Sequence, residues 1–280
     1  MIRFGSTAVA FALLTLVVSC KGEGKTGENG GKGRAVETSA PRGELLVFAA
    51  ASLTDVFSVL AEDFEREYPG VKVSLNFAGS QSLRTQIENG AQPQVFASAN
   101  AQHMETLRSK KLVGEPAAFA RNEMVIVVPA GNPSKIESLA DLPKAERLVL
   151  AGEAVPAGRY AEKVLENARA SLGADFAERV KKKLVSRENH VRQSLQKVAL
   201  GEADAAMVYA TDAASARAKV EVVRISPPHN VVATYPIAVV TGSPRAALGQ
   251  LFVDFVRSEA GGEKLEEFGF GTPGSKGDGQ

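Results

Sequence analysis

The chain has 280 residues, 44% of them hydrophobic and 23% charged, which is enough apolar material for two modest cores and unlike a disordered chain. Its 33 basic and 32 acidic residues leave a net charge of +1, so no basic field is available to hold nucleic acid, and an anion has to be recognised by local donors. A single Cys excludes a disulfide framework and a Cys-based metal site.

The first 19 residues, "MIRFGSTAVAFALLTLVVS", carry one charge, Arg3, ahead of an apolar stretch too short to span a bilayer. This is the pattern of a secretory signal over residues 1–19. Its end, Val17-Val18-Ser19-Cys20, resembles a bacterial lipobox, in which the Cys is lipidated and becomes the first residue. The only Cys of the chain falls there, which assigns lipidation and a membrane anchor to Cys20. The alternative is an ordinary signal peptide, or an anchor helix that happens to end in Cys. Residues 20–43 read as a flexible tether: six of the thirteen residues from Lys21 to Gly33 are Gly, and no apolar periodicity is visible. Gly24-Lys25-Thr26 does not make a P-loop, because Ser19 stands where that motif needs Gly and no strand precedes it. Lys21 is not an acidic retention signal, which leaves outer-leaflet destinations open.

The body begins with a short buried strand, 45–50, that fades into small residues, "VFAAAS". The period then changes: Leu53, Val56, Phe57, Leu60, Ala61, Phe64 and Tyr68 share a helical face that Pro69-Gly70 terminates. "VKVSLNF" alternates as a strand, and Ser80 precedes a helix carrying Leu83 and Ile87 and stopping near Gly90. "QVFAS", "MVIVV" and "RLVLA" are further strands, with helices around Met104 and Leu107 and over 160–170. "HVRQSLQKVAL" is a helix, and "AAMVY", "VEVVRI" and "TYPIAVV" are strands. Helices near 248–256 and 263–268 close the chain, and residues 273–280 form a Gly-rich tail expected to be flexible. Alternating strands and helices predict a parallel α/β sheet, and the length of the pattern predicts two lobes.

In open α/β sheets, ligands sit beyond the carboxyl ends of strands, where the next helix presents free N–H groups and the positive end of its dipole. Ser52 and Ser80 both stand at such junctions behind small residues. Each is either a donor to a bound anion or a plain N-cap.

The segments "VFAAASLTDVF", "NFAGSQSLRTQIENGAQPQVFASAN", "VPAGRYAEKVLE", "NHVRQSL" and "MVYATDA" follow one another in this chain. Together they resemble the periplasmic molybdate-binding proteins of ABC importers, over nearly all of the body. The resemblance implies a type II periplasmic-binding-protein fold, two α/β lobes joined by two crossing hinge strands and closing on the anion. Lobe I would comprise 44–125 plus 234–272 and lobe II 126–233. It also implies a site. Ser52 and Ser80 would donate hydroxyl and N–H, Ala157 and Val191 a backbone N–H, and Tyr209 its phenol. The ligand would be molybdate or tungstate, held through its oxygens with no direct metal ligand and no cofactor. The partners would be a molybdate ABC permease and, through the lipid, a membrane; the protein would be a monomer in the bacterial cell envelope. Two positions depart from the family pattern. Gly79 stands where Ser is common, and Gln94 where an acidic residue is usual, the second bearing on lobe packing rather than on the anion.

On the residues alone, Tyr209 also reads as a buried aromatic. Arg159 and Arg192 read as solvated helix faces, His190 as a helix cap, and His103, His190 and His229 as too scattered for a metal. An enzyme on this scaffold lacks a signature: there is no G-x-S-x-G, H-E-x-x-H or P-loop. A transcription-factor effector domain conflicts with the leader. Sulfate and phosphate remain the rivals to molybdate.

Overall fold

The computed structural model describes residues 40–273. The expected leader, Cys20, the tether up to residue 39 and the tail beyond 273 lie outside the described residues.

Strand β1 (Gly43–Ala50) runs through a 3₁₀ turn, Ala51–Leu53, into α1 (Thr54–Glu67). There follow β2 (Val71–Ala78), α2 (Ser80–Glu88), β3 (Val95–Ala97), α3 (Ala101–Ser109) and the long β4 (Ala117–Pro129). A second 3₁₀ segment, Leu139–Lys144, leads to β5 (Leu148–Ala151), α4 (Pro156–Leu172), α5 (Phe176–Lys181), β6 (Leu184–Glu188) and α6 (Val191–Ala199). The rest is β7 (Ala205–Tyr209), α7 (Ala210–Ser215), β8 (Val220–Arg224), β9 (Val232–Val239), α8 (Ala246–Val256) and α9 (Glu259–Glu267).

The strand order is β2-β1-β3-β9-β4-β7-β5-β6, with β8 also paired to β4. β1 is parallel to β2 and β3, and β5 is parallel to β6 and β7. β9 and β4 run against their neighbours. The sheet is therefore mixed, which corrects the expectation of a parallel one. The reason lies in β4, whose first half pairs with β9 and whose second half pairs with β7 and β8. One long strand thus serves two half-sheets, and β9 returns beside it. This is the two-lobe architecture with two crossing strands.

β1 shows why its run is so apolar. Leu45, Val47 and Ala49 face the main core with Val56, Phe57, Leu60 and Phe64 of α1. Phe48 faces a second cluster with Leu83 and Ile87 of α2 and Met104 and Leu107 of α3. A strand covered on both faces has no polar alternation to show. Gln94, buried, accepts the Leu46 N–H at 2.6 Å through Oε1, a role in sheet packing.

Candidate anion-binding site

Six chain junctions converge on one small, partly open cavity. Its lining is Ala50, Ala51 and Ser52 after β1, Gly79 and Ser80 after β2, and Ala99 after β3. It continues with Val155, Pro156 and Ala157 after β5, His190 and Val191 after β6, and Tyr209 at the end of β7. All five residues singled out from the sequence, Ser52, Ser80, Ala157, Val191 and Tyr209, are brought together here. The small residues that end β1 leave backbone uncovered, and that backbone is cavity wall.

The helices that begin at this cavity are α2, α4, α6 and α7, and none has its N-terminus closed by a side chain. Ala157 is the second residue of α4 and Val191 the first of α6, so neither N–H has an intrahelical acceptor. α4 starts at Pro156, four residues before the expected helix, because Pro fits the first helical position. Gly158 lets that start press against β5: a Cβ there would come within 2.1 Å of the Gly152 carbonyl oxygen.

The capping alternative does not hold for either serine. Ser52 lies inside the 3₁₀ turn, and its Oγ is 3.0 Å from the Tyr235 hydroxyl. Ser80 is the first residue of α2, and its Oγ accepts the Ala99 N–H at 3.0 Å. A hydroxyl that is already accepting keeps its own hydrogen to give. Tyr209 is 1% exposed and its hydroxyl has no hydrogen-bond partner, a costly condition for a buried polar group. Burial, then the neighbouring Tyr235, Tyr160 and Asp212, push its pKa well above the ordinary value, so the phenol stays a donor. The cavity therefore gathers hydroxyls and N–H groups with no carboxylate on its wall.

Charge stands one layer back. Arg192, one residue after Val191, is not a solvated face, contrary to expectation. Its guanidinium bonds Asp55 at 2.5 Å, Ser215 at 2.9 Å and Asp212, which is fully buried. Burial, opposed by Arg192, raises the Asp212 carboxyl to about 6. Arg159 is exposed, as expected. His190 is the residue before α6 but makes no cap bond, which corrects that reading; its Nδ1 is buried without a partner. Burial and Arg192 hold its pKa below the usual value, with Glu188 opposing. His103 bonds the Ala154 carbonyl at 2.9 Å, and His229 bonds Ser171 and Ser226, so the three His residues stand apart.

Further contacts join segments on either side of the cavity. Gln81 Nε2 donates to the Asn189 carbonyl at 2.8 Å, beside Gly79. A Cβ on Gly79 would meet that same carbonyl oxygen at 2.5 Å, so the departure at 79 is what allows this approach. Sequence reasoning passed over several lining or supporting residues, Pro156 and Tyr235 among them. Pro156 was legible from its preference for a helix start; Tyr235, within an apolar strand, carried no signal beyond that of a core aromatic.

Residues 45–271 match the family model described as bacterial extracellular solute-binding protein. The chain belongs to that family. Curated relatives of this solute-binding protein include the molybdate-binding protein ModA of Mycobacterium tuberculosis, 39% identical over 231 residues, 82% of this chain and 85% of the relative. Another is a putative ABC transporter substrate-binding lipoprotein of Bacillus subtilis, 30% identical over 236 residues, 81% of this chain and 85% of the relative. Among solved structures, the substrate binding domain of a putative molybdenum ABC transporter from Clostridium difficile matches with a TM-score of 0.61 and 30% identity, covering 81% of this chain and 97% of that one. The family's proteins bind solutes outside the cytoplasm for transport, which agrees with a cavity lined by donors.

Proposed function

We propose that this solute-binding protein captures molybdate, and tungstate of nearly equal size and charge, and hands it to the permease of an ABC importer. The observation that carries the reading is the meeting of Ser52, Ser80, Ala157, Val191 and Tyr209 around one cavity, with the Tyr209 hydroxyl left unpartnered. An oxyanion supplies acceptors for all of these donors, and uncapped helix ends suit its charge. The name of the M. tuberculosis relative supports the choice of anion. The protein acts as a monomer, binds without catalysis, and has no nucleic-acid partner. Its lobes are 44–125 plus 234–272 and 126–233, with the boundaries inside β4 and β9, so those strands are the hinge.

Titration calorimetry of the anion-stripped body tests the site. Tyr209→Phe and Ser52→Ala are each expected to cost about 1.5–3 kcal/mol, the range for a hydrogen bond to a charged group. That is roughly tenfold to a hundredfold in affinity. Unchanged molybdate binding in both variants would reduce them to a core aromatic and a structural serine.

The same proposal places the body at the envelope, anchored through lipidated Cys20; the B. subtilis relative's name, a putative lipoprotein, supports it. Cys20→Ser is expected to release the protein from the membrane fraction while leaving the affinity of the body intact. Membrane association that survives the change excludes this anchor.

A further inference from the structure

The two crossing strands do more than connect. β4 and β9 are paired so that Ala120 lies opposite Tyr235 and Asn122 opposite Ala233. Tyr235 is 0% exposed, and its ring packs edge-on against Phe119, Tyr209 and Phe270, with centroids 6.4, 5.7 and 5.7 Å away. Those contacts explain a Phe at this position as well as a Tyr. The hydroxyl needs its own explanation, and its partner is Ser52 Oγ at 3.0 Å.

That pair has one useful polarity. Ser52 has a single hydrogen and stands on the cavity wall. If it gave that hydrogen to Tyr235, it would offer the cavity only lone pairs, which an anion repels. If Tyr235 donates, the Ser52 hydrogen is free for the anion. Burial and the Asp212 carboxylate, opposed by hydrogen bonding with Ser52 and Asn122, push the Tyr235 phenol well above its ordinary pKa, so its hydrogen is present at every physiological pH.

We propose that Tyr235 is a positioning residue of the anion site: from the hinge strand its hydroxyl donates to Ser52 Oγ and so turns the Ser52 hydroxyl hydrogen toward the bound oxyanion. Nearby on the adjacent hinge strand, Asn122 donates to Thr211 at 2.8 Å, two residues beyond Tyr209. The hinge pair thus reaches both the Ser52 junction and the Tyr209 junction. The inference rests on the oxyanion reading of the cavity, but its test can fail separately.

The experiment is a double-mutant cycle on the full body, titrated with molybdate, tungstate, sulfate and phosphate, and scored with whichever the wild type binds most tightly. Tyr235→Phe keeps the ring, and thermal melts of the empty proteins check that it keeps the fold. It is expected to weaken binding about threefold to tenfold, the size of one neutral hydrogen bond. In a Ser52→Ala background the same change is expected to have no further effect, because there is no hydroxyl left to orient. Equal losses in the two backgrounds, or no loss beside an intact wild-type affinity, overturn the positioning role and leave the oxyanion reading standing. A wild type that binds none of the four anions overturns both.

Discussion

Replacing Arg192 by Met is expected to lower the unfolding free energy by about 2 kcal/mol near pH 7.5, rising at higher pH toward the roughly 3–5 kcal/mol cost of breaking a buried ion pair from one side. Asp212 is 0% exposed, and one of its carboxyl oxygens has no partner even in the intact protein. Met fills much of the Arg stem's volume but leaves that carboxylate buried and uncompensated. The Asp55 arm adds little, since its side chain is 41% exposed. The pH dependence identifies the cause. An acid whose folded pKa is raised, here from 3.8 to about 6, takes up a proton on folding between those values. Its contribution to stability is present below the lower value and is lost as pH rises through the upper one. Without Arg192 the folded pKa rises further, so the loss continues above pH 6. The gap between wild type and variant is therefore small below about pH 6 and grows by about 1.4 kcal/mol per pH unit above it, until the variant's own raised pKa is passed. Urea unfolding at several pH values reads this directly, and Arg192→Met with Asp212→Asn should recover most of the loss. A deficit independent of pH would make Arg192 a packing residue. The position matters for function too: Arg192 follows Val191, Asp212 lies in the first turn after Tyr209, and Asp55 follows the Ser52 turn. One cation bolts three of the six cavity junctions together.

That arrangement was not legible in the sequence, and the reason is distance. Asp55 and Arg192 are 137 residues apart, and nothing local marks an Arg in a helix as paired rather than solvated. The same holds for strand direction. β4 takes partners from β7, β8 and β9, all far along the chain, so a local strand–helix alternation suggested a parallel sheet and could not reveal a mixed one. β6, with Leu184 and Val185 followed by Ser-Arg-Glu, offers no apolar alternation and went unseen; α7, at six residues, is too short for a helical period. By contrast, β1 with its fade into Ala and Ser, and β2 with its Gly-Ser end, carried their meaning locally. Small residues at a strand's end expose backbone whatever the fold does elsewhere. Ser52 and Ser80 followed from that, whereas Ala157, Val191 and Tyr209 came only from the resemblance of motifs. An N–H donor leaves no trace in its side chain.

Molybdate and tungstate are expected to bind at least about a hundredfold more tightly than sulfate and phosphate at one neutral pH and salt concentration. The expectation follows from what the wall contains. Lone pairs of both serine hydroxyls are engaged, by Ala99 N–H and in the proposed polarity by Tyr235, so these groups face the anion as donors. A fully deprotonated tetrahedral dianion accepts at every oxygen. Phosphate near neutrality keeps a proton that needs an acceptor. Asp55, the nearest carboxylate in sequence to Ser52, is held by Arg192 and does not line the cavity. The His190 ring alone among the lining side chains offers a nitrogen lone pair, and its lowered pKa keeps it neutral; residual phosphate binding is expected to run through it. A buried hydroxyl without an acceptor costs about 1–3 kcal/mol. Sulfate carries no proton, so only size can reject it. It is smaller than molybdate, and N–H groups fixed at the starts of α4 and α6 cannot all follow it inward. Each bond to charge that is lost is worth about 1.5–3 kcal/mol, and one or two suffice for a hundredfold. Competition calorimetry decides: sulfate or phosphate within about tenfold of molybdate would make the cavity a general oxyanion site, and Ser52 and Ser80 would then be donors that adjust to the smaller ion.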